Sequence, residues 1–242
     1  SFGEDRDNVT NKALAVMKGM QGVGVLANAK HFPGHGDTEQ DSHHTLPTIS
    51  FNEKRIDSVE LYPYKELINK GLSSVMVAHL NVPSLESREN YPSSLSKHIV
   101  SDILKDSLGF KGLIFTDALT MKAAANFNSP GEIDLAAFKA GNDVMLMSAS
   151  VLEGVSKIIE AYENEEITEE RLAHSVKKIL MAKYKVGLNA YKPIGIFNLF
   201  EDLNRLEDDV LYEELIENAL TVIKNKPDNL PLRSLEIRSI AY

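Results

Sequence analysis

Short β-branched runs that alternate with helical stretches constrain this chain more than any other feature, because strand–helix–strand repetition is satisfied by a parallel sheet with crossover helices. Residues 23–29, 74–80, 113–115 and 144–147 are the predicted buried strands. Between them the apolar spacing predicts a helix over 8–20 that stops at Gly22, and Ser50 with Glu53 reads as a capping box. Pro63 interrupts the helix that follows, and a stretch over 96–108 ends at Gly109. Ser129-Pro130 opens a helix that closes at Gly141, and further helices are expected over 151–162 and 168–186, the last capped by Thr168 and stopped by Gly187.

The polar residues gather where strands end. Lys30-His31, His79-Leu80-Asn81, Thr116-Asp117 and Ser148 follow the four apolar runs, and neither a GxGxxG turn nor a P-loop is present. Reactive groups at the C-terminal ends of strands are the habit of a (β/α)8 barrel rather than of a doubly wound nucleotide-binding sheet. Composition narrows the partners. Lys+Arg 26 against Asp+Glu 35 leaves a formal charge of -9, which opposes a grip on nucleic acid or on an anionic membrane surface. No apolar run approaches the length of a membrane span, and zero cysteines exclude disulfides and thiolate metal sites.

The densest constellation lies between Lys30 and His44, where His31, His35, His43 and His44 stand with Asp37 and Asp41. Any one of these alone reads as a solvated turn residue; together they point to a site. A divalent metal is the poorer reading, since the histidines sit on a Pro-Gly loop that fixes neither ligand count nor geometry. Asp117, after Leu113-Ile114-Phe115, is either a helix N-cap or a nucleophile able to attack an anomeric carbon.

Lys30-His31-Phe32-Pro33-Gly34-His35-Gly36, four residues, then Asp41-Ser42-His43 resembles the KHFPGHG-x4-DSH signature of the glycoside hydrolase family 3 β-N-acetylhexosaminidases, the NagZ type. Every position matches, and SFGED, Val77-Ala78-His79 and Phe115-Thr116-Asp117 fall in the family's order. The resemblance implies that Asp117 is the nucleophile, His43 the general acid/base and Asp41 the carboxylate that orients it, with Lys30 and His31 donating to sugar hydroxyls. An imidazole with an ordinary pKa of about 6.5, paired with a carboxylate, can protonate a leaving oxygen and then deprotonate water near neutral pH. His35 and His44 are expected to shape the loop, and His79 to support the site from beneath.

By the same resemblance the fold is α/β, the C-terminal half of a TIM-type barrel with about four β/α units, occupying residues 1–187. A linker and helix over 188–224 and the start of an incomplete α/β domain over 225–242 follow. The chain is expected to be cut at both ends, with an exposed sheet edge. Where family members carry two adjacent aspartates, this chain has Asp117-Ala118. The implied activity is hydrolysis of terminal β-linked N-acetylglucosamine, with peptidoglycan fragments as the expected source, and with no metal and no organic cofactor. The alternatives are a phosphorylase on the same scaffold and an inactive carbohydrate-binding fragment. The expected compartment is the bacterial cytoplasm or, as a second domain suggests, outside it.

Overall fold

The computed structural model describes residues 2–38 and 45–225, which fall into two units, 1–191 and 192–242. In the first unit α1 (Arg6–Gly22) starts where the Asp5 carboxylate accepts the Asn8 amide at 2.8 Å. Its end uses up the first apolar run. Val23, Gly24 and Val25 donate to carbonyls of the last helical turn, and both valines are exposed, so β1 begins only at Asn28 and runs to Phe32. The strand expected over 23–29 is thus displaced toward Lys30 and His31, because helix termination competes for the same residues.

β2 (Ser74–Val77) pairs in parallel with β1 and with β3 (Leu113–Thr116), giving the order β1-β2-β3. The β1–β2 register shifts between Ala29 and Phe32. The fourth expected strand is reduced to a parallel bridge between Phe115 and Val144, since Met147 turns into the left-handed region at φ 48° and ends the pairing.

The crossovers are helical. Asn52, not Ser50, caps the segment at Glu53, accepting from the Arg55 amide at 2.9 Å; a π-helical turn, Ile56–Glu60, then leads into α2 (Tyr62–Asn69), with Pro63 in its first turn. α3 (His98–Ser107) carries π-type hydrogen bonding and is followed by Gly109 at φ 68°. α4 (Glu132–Ala140) begins at a Gly131 cap, α5 spans Val151–Glu163, and α6 (Glu169–Lys185) is capped by the Thr168 hydroxyl. Among the described residues no helix is long and apolar enough to cross a membrane.

Phe32, Val75, Val77, Ile99, Leu104 and Ile114 form the centre of the main core, so the sheet is buried between its helices as parallel strands require. Tyr64 closes its edge against Phe32, ring to ring at 5.1 Å, and burial raises its hydroxyl pKa. In the second unit α7 (Leu199–Leu203) and α8 (Leu206–Ala219) are the helices described. The final expected strand, 237–242, lies outside the described residues.

Candidate active site

Asp117 is the first residue beyond β3. Its amide donates to the Val77 carbonyl at 2.8 Å, which ties it to the end of β2, and its Oδ1 accepts the Ala118 amide at 2.9 Å. Oδ2 is left facing the Nε2 of His31, 3.5 Å away at the end of β1. With side-chain exposures of 13% and 28%, the two groups meet at an opening rather than inside the core. The carboxylate caps no helix, since the next one starts at Lys122 behind Met121. One oxygen is fixed by a backbone donor and the other is presented outward, the disposition a nucleophilic carboxylate needs.

Residues 33–38, which leave β1, are held by their own side chains. His31 meets the His35 ring edge-on at 5.9 Å. Thr38 Oγ1 lies 2.7 Å from His35 Nδ1 and 3.1 Å from the His35 carbonyl, so one hydroxyl ties the imidazole to its own backbone. Lys30 is exposed, in the stretch of β1 where the register slips. Asp41 and His43, expected as the acid/base pair, lie outside the described residues, as does His44.

His79 lies beneath Asp117 and is fully buried. Its Nε2 is 3.0 Å from the Ala118 carbonyl, which can only accept, so Nε2 holds the hydrogen; Nδ1 then accepts from the Ser94 hydroxyl at 2.6 Å. Burial lowers its pKa, against a smaller opposing pull from the Ala118 carbonyl and the Asp117 charge, and keeps the ring neutral. The imidazole therefore acts as a hydrogen-bonded prop under the Asp117–Ala118 turn. Ser94 escapes a reading of local spacing because it is linked to His79 by a contact across fifteen residues. Among the described residues no group of three or more His, Cys, Asp or Glu side chains is placed to hold a metal ion.

Residues 1–182 match the model of the glycosyl hydrolase family 3 N-terminal domain. Beta-hexosaminidase A of Pseudoalteromonas piscicida is 31% identical over 252 residues, covering 96% of this chain and 42% of that protein. A glycoside hydrolase family 3 beta-N-acetylglucosaminidase from Paenibacillus sp. str. FPU-7 superposes with a TM-score of 0.76 at 35% identity, over 81% of this chain and 38% of that one. The beta-glucoside phosphorylase BglX superposes with a TM-score of 0.87 at 25% identity, over 96% of this chain and 43% of its own. The chain spans about two-fifths of the length of the curated relatives it matches.

Proposed function

The chain belongs to glycosyl hydrolase family 3, and on that footing we propose that it carries catalytic residues of a retaining exo-hydrolase that releases terminal β-linked N-acetylglucosamine. The observation that carries the reading is Asp117: a carboxylate at a strand end, one oxygen held by a backbone amide and the other turned to an opening beside His31. In the proposed reaction Asp117 Oδ2 attacks the anomeric carbon as His43 protonates the departing glycosidic oxygen, leaving a glycosyl ester. His43, now neutral, takes a proton from water, whose oxygen displaces Asp117 and restores the β configuration. Asp41 stabilises the imidazolium formed between turnovers, in the manner of the acid that supports a catalytic histidine elsewhere. Lys30 and His31 donate to ring hydroxyls of the sugar. The three parallel strands with the Val144 bridge are read as four successive units of a (β/α)8 barrel, whose strand ends build the pocket.

Phosphorolysis is the second reading, favoured by the likeness to a beta-glucoside phosphorylase and by an acid/base histidine that repels phosphate less than a carboxylate would. NMR of the first-formed product separates the two in one experiment. β-N-acetylglucosamine is expected in phosphate buffer; α-configured product removes Asp117 from the nucleophile role, and N-acetylglucosamine 1-phosphate selects phosphorolysis. Asp117→Ala is expected to lower kcat by at least about a thousandfold, and a milder loss would also remove it.

A further inference from the structure

The chain that leaves β2 returns to it through a fixed turn. Asn90 takes φ 51°, Pro92 bridges back to Asn81, and the Ser93 hydroxyl donates to the Ala78 carbonyl at 2.7 Å. Within this turn Arg88 is held as a flat plate. Its Nε and Nη2 donate to the two oxygens of Glu86 at 2.9 and 2.7 Å, and Glu86, with 5% of its side chain exposed, also accepts the Ser96 hydroxyl at 2.5 Å. The guanidinium carbon lies 3.5 Å from the centre of the Tyr91 ring, and Tyr91 meets the Phe127 ring edge-on at 4.7 Å. Phe127 comes from the segment that leaves β3, after the short helix Lys122–Ala125, and is 40% exposed; the Arg88 side chain is 52% exposed. One guanidinium and two aromatic rings, drawn from two neighbouring strand ends, thus form a ledge that meets solvent.

This ledge borders the Asp117 turn. Tyr91 packs against the cluster of Leu95 and Leu119, and Leu119 is two residues beyond Asp117. Three residues on from Tyr91, the Ser94 hydroxyl is separated from the Ala118 carbonyl by a single imidazole, that of His79. The ledge carries no net charge, because Glu86 neutralises Arg88, whose hydrogen bonds hold the Glu86 carboxyl well below the usual carboxylate range. A neutral ring with an apolar face and a rim of hydroxyls suits such a surface. Its C–H face stacks on the aromatic rings, and Arg88, which spends two of its five N–H donors on Glu86, reaches a hydroxyl. We propose that Arg88, Tyr91 and Phe127 form the subsite for the group on the far side of the scissile bond, and that its occupant is a neutral pyranose. This rests on the reading of Asp117 as the nucleophile. Lys30 and His31 serve the sugar that is transferred, so the ledge, built on the segments that leave β2 and β3, falls to the leaving group.

The test uses two changes in the protein as produced. Phe127→Ala removes an exposed ring, and Glu86→Gln combined with Arg88→Met removes the plate without leaving a buried carboxylate unpaired. In kinetics each should lose kcat/KM on N,N′-diacetylchitobiose at least about fivefold more than on methyl N-acetyl-β-glucosaminide, whose leaving group is too small to stack on the ledge. Equal losses on the two substrates overturn the subsite. Binding is measured apart from turnover, in the Asp117→Ala background. Calorimetry should show the Kd of the disaccharide raised about fivefold or more by Phe127→Ala, and that of free N-acetylglucosamine raised less. Equal shifts, or no binding of the disaccharide while Phe127 is still in place, overturn the ledge. If Asp117→Ala still turns the disaccharide over, Asp117 is the wrong nucleophile, and the comparison of the two leaving groups still decides the subsite. If neither substrate is turned over by the unaltered protein, the proposed function fails and calorimetry alone decides it.

Discussion

At the scale of single residues the site depends on which groups are held neutral and which are left charged. His79 is neutral because burial penalises its cation, and its two ring nitrogens are already committed to Ala118 and Ser94. Its folded pKa lies below that of the unfolded side chain, about 6.5, so on acidification the unfolded state takes the proton first. Stability from this residue is therefore complete above about pH 6.5 and is lost as the pH falls from there toward the folded value. Thermal midpoints measured from pH 8 to pH 5 should fall more steeply for the wild type than for His79→Gln, with a difference of up to about 1.4 kcal/mol per pH unit. Parallel curves would mean that burial does not hold the His79 pKa below its unfolded value, and the prop under Asp117 would need another description. Ser94→Ala should lower stability most above about pH 6.5 and flatten the fall below it, because it takes away the hydroxyl that donates to the neutral ring at Nδ1.

At the scale of elements, what is readable in the sequence divides along the range of the forces involved. The ends of α6 are legible because caps and glycine stops act within four residues: Thr168 accepts the amide three positions on and Gly187 takes φ 80°, whereas α1 starts at Arg6 behind an Asp5 cap, ahead of the expected residue 8. β1 is misplaced because the β-branched run 23–25 is spent on ending α1, whereas the true strand, Asn28–Phe32, is polar where it faces the opening. His79 to Ser94 leaves no periodic trace, so the histidine prop emerges only in three dimensions. The same holds for the latch of α6 on β3. The buried Asp143 carboxylate accepts the Ile114 amide at 2.9 Å, the Ser175 hydroxyl at 2.5 Å and the Lys178 ammonium. Asp143→Ala leaves a partly buried cation and a strand amide unpaired, and should cost about 3–5 kcal/mol in denaturant unfolding. Asp143→Leu combined with Lys178→Met should recover much of that loss; a double variant no better than the single would show that the Ile114 amide, and not the charge, dominates.

At the scale of the whole molecule, burial is distributed unevenly along the chain. Every buried apolar residue described lies between Met17 and Ile167, and none of the described residues of the second unit, up to Lys224, is buried. The first unit draws its stability from its own sheet, the helices over it and latches such as Asp143–Lys178. Residues 192–196, with Pro193 and Gly195, have no regular structure and are exposed, which is where proteases nick folded chains. Limited proteolysis is therefore expected to cut first within this stretch and to leave a product ending near Tyr191. Because a change of 1 kcal/mol moves the midpoint of a domain this size by about 2–4 °C, that product should melt within about 2 °C of the uncut protein. A larger drop would place part of the first unit's stability in residues 192–242. An early cut between 151 and 185 instead would show that α5 and α6 open before the linker does, and that the latch is weaker than its hydrogen bonds imply.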